Sequence, residues 1–103
     1  MLVLNRTSDN GRFSVNAGET LSLTLDENPM TGYRWHLTCD PGLDLRSSDY
    51  APHPGGAVGG GGVVRFLLSA CLKGRFTVKA ELWRPWQDNR SAIDRCEFSI
   101  EVS

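Results

Sequence analysis

Cysteine and histidine are the residue types in this chain most able to act as a nucleophile, a base or a metal ligand. They are Cys39, Cys71 and Cys96, with His36 and His53. Nucleophilic catalysis needs a thiolate held by a neighbouring base, and a zinc site needs closely spaced ligand pairs such as C-x-x-C. Neither pattern is present, because His36 lies inside a strand-like run and His53 in a Pro/Gly-rich segment. We therefore expect no catalytic residue, no metal site and no cofactor.

The odd number of cysteines also argues against a full disulfide framework. Three reduced and mostly buried thiols are the simplest interpretation. One disulfide with a spare thiol is the alternative, and the spacing does not decide between them.

Length and charge restrict the function classes further. The chain has 103 residues, of which 40% are hydrophobic, which fits one domain spanning residues 1–103. The net charge is −1 with both signs scattered, so no basic stripe predicts a nucleic-acid partner. No apolar run is long enough for a membrane helix, and the polar residues soon after Met1 do not fit a signal peptide. We expect the protein to be a monomer. As written, the sequence predicts a cytoplasmic protein unless a leader has been removed, so the localisation stays open.

Three short segments carry the residue types best suited to binding another protein. The first contains a proline and a glycine that would stiffen a turn. The second has no side chains, and the third places a large aromatic ring beside a positive charge. They read NPMTGY at residues 28–33, GGGG at residues 59–62 and RPW at residues 84–86.

The first segment predicts a rigid tip. Pro29 fixes one φ angle and Gly32 permits a positive one, so Met30 and Thr31 would lie at the end of a stiff turn. A stiff turn loses little entropy when it binds. An ordinary connection between two strands is the alternative interpretation.

The other two segments have competing interpretations as well. Four successive glycines at 59–62 would let a partner approach the backbone closely, although glycine runs are more often flexible linkers. Pro85 would end a strand and project Trp86 beside Arg84, and both residue types are enriched in binding hot spots. A Trp86 ring folded back over the end of the domain is the alternative.

The elements that position these segments are predicted to be strands. Apolar and polar residues alternate with a period of two, which indicates sheets with one buried face, and no window has the period of an amphipathic helix beyond one short turn in residues 86–95. We expect Trp35 to be buried on the third strand and the fifth run to be a central strand. The runs are residues 13–15, 21–25, 33–37, 43–50, 63–71, 76–82 and 96–102.

About seven short strands in 103 residues predict an all-β, immunoglobulin-like antiparallel β-sandwich. The three unusual segments follow the second, fourth and sixth strands. If each strand reverses the direction of the one before, every second connection returns to the same end of the domain. The segments are therefore predicted to form one binding edge.

With this order and spacing, the chain resembles the chagasin-like inhibitors of papain-type cysteine peptidases. The motifs of that family are N-P-T-T-G-[YF], G-x-G-G and R-P-W, on three neighbouring loops of an immunoglobulin-like fold. One position departs from the pattern, since Met30 replaces the first threonine. The resemblance implies these peptidase-binding residues: Asn28, Pro29, Met30, Thr31, Gly32, Tyr33, Gly59, Gly60, Gly61, Gly62, Arg84, Pro85 and Trp86.

The resemblance also implies a mechanism, which is reversible occlusion of a papain-like, cathepsin L-type peptidase rather than an enzymatic reaction. Residues 28–33 would enter the cleft with Thr31 near the catalytic cysteine, and residues 59–62 and 84–86 would grip its two sides, with Trp86 against an aromatic rim. A different class remains as the rival, an adhesion or carbohydrate-binding module whose Trp83, Trp86 and Tyr50 stack on sugars. A third possibility is a structural domain in which residues 52–62 are only a tether.

Overall fold

The strands of this chain form two four-stranded sheets that pack face to face. The computed structural model describes residues 1–52 and 61–103. Within them lie eight strands: β1 (Leu2–Asn5), β2 (Arg12–Val15), β3 (Thr20–Glu27), β4 (Arg34–Cys39), β5 (Leu43–Pro52), β6 (Gly62–Ala70), β7 (Gly74–Trp83) and β8 (Asp94–Val102). The all-β immunoglobulin-like sandwich predicted from the sequence is confirmed.

The strand order is β1-β3-β6-β5 in one sheet and β2-β8-β7-β4 in the other. Four of the pairings between described strands are antiparallel, whereas β1 pairs with β3 and β2 pairs with β8 in parallel. The sequence pattern had predicted antiparallel pairing and about seven strands, and β1 is the additional strand. β6 lies inside its sheet, as its continuous apolar run indicated.

Alternating side chains from both sheets fill the space between them. On β8, Cys96, Phe98, Ile100 and Val102 are buried while the residues between them are exposed, because a strand presents every second side chain to the same face. Trp35 is buried on β4, as expected. The largest fully buried side chains are Phe98, Leu4, Leu21, Leu23, Leu25, Leu68, Ile100 and Val78.

The three cysteines are all free, so the disulfide alternative is wrong. Cys96 is buried and Cys39 is half-buried, but Cys71 is exposed. The expectation of mostly buried thiols fails at Cys71 because this residue follows the last residue of β6, beyond the cover of the second sheet. No helix in the described part of the chain is long and apolar enough to cross a membrane.

Two ends of the sandwich result from this order. The loop end carries the connections after β3 and β7, at residues 28–33 and 84–93, together with the end of β5 at Pro52 and the start of β6 at Gly62. The closed end carries the connections after β2, β4 and β6, at residues 16–19, 40–42 and 71–73. The single short turn predicted between residues 86 and 95 is the 3₁₀ helix Asn89–Ser91 at the loop end.

Candidate functional site

The first predicted segment is a turn held by its own polar atoms. Pro29–Thr31 forms one turn of 3₁₀ helix. The side-chain oxygen of Asn28 accepts a hydrogen bond from the Met30 N–H (3.0 Å), and the Asn28 carbonyl accepts from the Thr31 N–H (3.1 Å) and hydroxyl (2.8 Å). An asparagine that bonds the backbone two residues on mimics a backbone turn. Asn28 therefore closes the turn that the proline and glycine were predicted to stiffen, and the Pro29 side chain lies outside the described residues.

Gly32 allows the first and third segments to lie against each other. Its φ angle is +80°, in the left-handed region that favours glycine. A Cβ at this position would lie 2.6 Å from Cη2 of Trp86, so the indole edge rests directly over the glycine. Trp86 is nonetheless 72% exposed. The ring is therefore displayed to solvent rather than folded back as a cap over the sandwich.

Arg84 joins the same two segments through polar and aromatic contacts. Its Nε donates a hydrogen bond to the Thr31 carbonyl (3.2 Å). Its guanidinium carbon lies 4.4 Å from the centre of the Tyr33 ring and 5.9 Å from that of the Trp86 ring. A planar guanidinium can stack on a ring while its edge donates a hydrogen bond, which an ammonium cannot do. Arg84 therefore fixes the position of the first segment relative to the third.

The second predicted segment is described only in part, since Gly59 and Gly60 lie outside the described residues. Gly61 has a φ angle of +75°, and a Cβ on it would lie 3.3 Å from Cβ of Asn28. Gly62 belongs to β6, where a Cβ would lie 2.2 Å from the carbonyl oxygen of Ala51. Gly61 thus brings the second segment against the first, whereas Gly62 is required by packing within the sheet.

Two acidic residues at the base of the first segment escaped the sequence prediction. Glu27 is buried, and its carboxylate accepts a hydrogen bond from the Trp35 N–H (2.9 Å). The carbonyl of Asp26 accepts from the Trp35 indole N–H (2.8 Å). The alternation of Leu21, Leu23 and Leu25 places Glu27 on the buried face, which is the signal that would have found it.

An open cavity of about 460 Å³ lies between the bases of the three connections. Residues from both sheets line it, so the core does not fill the sandwich at the loop end. The lining residues are Asp26, Glu27, Asn28, Thr31, Tyr33, Gly61, Gly62, Leu82, Arg84 and Ile93.

The thiols are poorly suited to nucleophilic chemistry. Burial raises the pKa of Cys96 to about 11, and burial also raises the pKa of Cys39. A hydrogen bond to Asp44 raises the pKa of Cys71. Each thiol is therefore held in its protonated and less reactive form at neutral pH. Within residues 1–52 and 61–103, no group of three or more His, Cys, Asp or Glu side chains is placed to hold a metal ion.

The aromatic residues of the carbohydrate-binding alternative lie in different surroundings. The Trp83 ring is stacked on His36 with 3.8 Å between ring centres, so one of its faces is covered. The Tyr50 hydroxyl lies close to Gly62, within 2.8 Å of where a Cβ would stand. Trp86 alone of the three is strongly exposed. This arrangement does not favour a platform for stacking on sugars.

A family model described as the chagasin family of peptidase inhibitors, I42, matches residues 14–102. The chain belongs to the chagasin family. The family resemblance predicted from the three motifs is thereby confirmed, together with function as a peptidase inhibitor.

Relatives of this chagasin-family chain are known in sequence and in structure. Amoebiasin-2 from Entamoeba histolytica is 24% identical over 103 residues, which cover 97% of this chain and 84% of the relative. The crystal structure of the cysteine protease inhibitor EhICP2 from the same organism superimposes with a TM-score of 0.87 at 18% identity, covering 99% of this chain and 94% of that one. The structure of PbICP-C in complex with falcipain-2 superimposes with a TM-score of 0.67 at 16% identity, covering 100% of this chain and 100% of that one.

Proposed function

We propose that this chain inhibits papain-like cysteine peptidases by inserting residues 28–33 into the active-site cleft, without catalysing a reaction itself. Residues 59–62 and 84–86 would contact the two sides of the cleft. The observation that carries the proposal is the joining of the first and third segments at the loop end through Arg84 and Gly32, with Met30 and Trp86 left 73% and 72% exposed.

The shape of the first segment explains how it would occupy a peptidase without being cut. A substrate lies extended in a protease cleft, whereas residues 29–31 are wound into a 3₁₀ turn closed by the bond between the Thr31 N–H and the Asn28 carbonyl. A peptide bond is hydrolysed when its carbonyl oxygen enters the donor site that stabilises the oxyanion. The Thr31 carbonyl oxygen instead accepts from Arg84. Cleavage after Thr31 would require this hydrogen bond to break.

The exposed residues are of the kinds that dominate protein interfaces. Trp86 offers a large rigid surface whose position is already fixed against Gly32, so little entropy is lost when it binds. Met30 offers a flexible apolar side chain that adapts to the shape of its partner. Membership in a peptidase-inhibitor family and the fold shared with EhICP2 and with PbICP-C, whose structure is a complex with falcipain-2, support the same partner class.

The test is a titration of the purified protein against papain and a cathepsin L-like peptidase with a fluorogenic peptide, with a serine peptidase as the control. We expect reversible inhibition of the cysteine peptidases alone, and an inhibitor that keeps its full mass after prolonged incubation. Absence of inhibition at micromolar protein would overturn the proposal. Cleavage between residues 28 and 33 would overturn the account of how the first segment resists hydrolysis.

A further inference from the structure

Met30 presents an exposed thioether on a turn that does not depend on it. The residue is 73% exposed. The turn is closed by Asn28 and Thr31 and tied down by Arg84, and the hydrogen bond made by Met30 itself uses its backbone N–H. A chemical change in the Met30 side chain would therefore alter the surface offered to a partner while leaving the backbone of the turn in place.

We propose that Met30 is an oxidation site through which a peroxide weakens inhibition, and that methionine sulfoxide reductases restore inhibition with two electrons from a dithiol, which becomes a disulfide while the oxygen leaves as water. This inference rests on the proposed function. The thioether sulfur would attack one oxygen of the peroxide, the O–O bond breaks, a sulfur–oxygen bond forms and water leaves when the oxidant is hydrogen peroxide. The sulfur loses two electrons, which the peroxide accepts.

The expected consequence follows from placing residue 30 inside a cleft. Moving a thioether out of water costs little free energy. A sulfoxide oxygen, in contrast, gives up hydrogen bonds to water that an apolar subsite does not replace. A flexible apolar side chain also becomes polar and chiral, which disrupts contacts made through methionine. We expect the inhibition constant to rise about tenfold or more.

Few other groups compete for the oxidant. The chain contains two methionines, and Met1 is 72% exposed, so it is oxidised as readily as Met30 but is present in both proteins compared below. Among the cysteines, Cys71 is exposed, but its Sγ donates to the Asp44 carboxylate at 3.3 Å and its pKa is raised, so little reactive thiolate is present. Dithiothreitol reverses a disulfide or a sulfenic acid, whereas a sulfoxide needs the reductases. The two kinds of damage can therefore be separated.

The experiment compares the wild-type protein with Met30→Leu, which keeps an apolar side chain of similar size but has no sulfur to oxidise. Both are treated with hydrogen peroxide, freed of oxidant, incubated with dithiothreitol and titrated against papain. Each treated sample is compared with the untreated sample of the same protein, because residue 30 is itself part of the proposed binding surface. Peptide mapping verifies the gain of one oxygen atom at Met30. We expect weakened inhibition for the treated wild type alone, and recovery after incubation with the two reductases, one for each sulfoxide epimer.

Two results would overturn the inference. One is an unchanged inhibition constant for wild-type protein whose Met30 is fully oxidised, and the other is equal weakening of Met30→Leu by peroxide. Either result leaves the proposed function intact, because the untreated protein would still inhibit. If the untreated protein does not inhibit, the proposed function fails and the inference fails with it.

Discussion

The two ends of the sandwich are held together by different kinds of contact. At the closed end, most bonds from the connections to neighbouring strands are made by the backbone, as from the Gly18 N–H to the Ala70 carbonyl (2.8 Å), and the Asp40 carboxylate adds one from the Thr77 N–H (2.8 Å). At the loop end, separate connections meet through side chains, as in the bond from Arg84 Nε to the Thr31 carbonyl (3.2 Å). Backbone bonds do not depend on which side chain is present, but the loop-end contacts do.

Because of this difference, we expect the closed end to contribute mainly to the stability of the fold and the loop end mainly to binding. Changes in the closed end act on the packing and pairing of both sheets. Changes in the loop end remove contacts between exposed segments that add little to the core. We therefore expect substitutions at the loop end to alter inhibition more than folding, and the reverse at the closed end. The following experiments test that expectation in order of decreasing effect.

Thr31→Arg is expected to cause the largest loss of inhibition. In the proposed complex the residue lies deep in the cleft, where an arginine adds bulk and a charge without a partner. The inhibition constant should rise by about two orders of magnitude, or about 3 kcal/mol. The control is Leu72→Arg at the closed end, where Leu72 is 60% exposed. Full inhibition by Thr31→Arg would refute insertion of residues 28–33.

A pair of glycines with positive φ angles compares the two ends directly. A Cβ on Gly42 would lie 2.3 Å from Cε1 of Phe76, so Gly42→Ala should lower the free energy of unfolding by about 2 kcal/mol or more. A Cβ on Gly32 meets the exposed Trp86, so Gly32→Ala should mainly weaken inhibition. Denaturant unfolding and peptidase titration of both variants give the comparison. Equal effects of the two variants on stability and on inhibition would contradict it.

Trp86→Ala should weaken inhibition by about 2 kcal/mol, the amount typical of an aromatic hot spot. The ring is 72% exposed, so its loss should leave the unfolding midpoint in urea nearly unchanged. Leu72→Ala, which removes a 60% exposed side chain at the closed end, is the control. An unchanged inhibition constant for Trp86→Ala would exclude the indole from the interface.

Arg84→Lys keeps the charge but loses the planar group that stacks on Tyr33 and bonds Thr31. We expect inhibition to weaken by about 1 kcal/mol, because the first segment is held less firmly relative to the third. The matched control is Arg75→Lys, at the closed end, where the arginine side chain is 82% exposed. If both variants inhibit like the wild type, Arg84 does not position the binding segments.

Asp94→Asn should have the smallest effect and should leave inhibition unchanged. Arg6 bonds both oxygens of the Asp94 carboxylate (3.0 and 2.7 Å), linking one sheet to the other, and it holds the pKa of Asp94 below its ordinary value. Because both side chains are partly exposed, the free energy of unfolding should fall by less than about 1 kcal/mol at pH 7. The stabilisation is fully present above the ordinary pKa near 4 and is lost as the pH falls through the lower folded-state value. Urea unfolding should show a difference in the free energy of unfolding between the wild type and Asp94→Asn that shrinks in acid. A difference that grows in acid would contradict the stabilising role given to the Arg6–Asp94 pair.

The sequence predicted the strands that carry a regular pattern of apolar residues and missed the features that leave no such pattern. Strands β3, β6, β7 and β8 were predicted because alternation or an apolar run marks them over several residues. Leu2–Asn5 was missed because Met1, Leu2, Val3 and Leu4 are all apolar, so this strand shows no alternation. The parallel pairings of β1 with β3 and of β2 with β8 were also missed. Alternation shows which face of a strand is buried, but it does not show the direction of the neighbouring strand.

The candidate site shows the same limit. The residue types at 28–33 and 84–86 predicted two peptidase-binding segments, which stays a prediction. Strand counting predicted that the two segments share an end, and the contact between Arg84 and Thr31 confirms this. The contacts that hold the two segments together could not be predicted, because Arg84 and Thr31 are 53 residues apart and their hydrogen bond follows no sequence period. Glu27 was missed although its position in the alternation marks it as buried, since an acidic residue is not expected in a core.

The parallel pairing of β2 with β8 has a consequence for how the chain reaches its native state. Arg12 is aligned with Ser99, so the second sheet cannot acquire β2 until the chain has been synthesised as far as β8. Pairings between residues so distant in sequence slow folding, and sandwiches dominated by them fold in about milliseconds to seconds. During that interval the apolar face of β2 is uncovered.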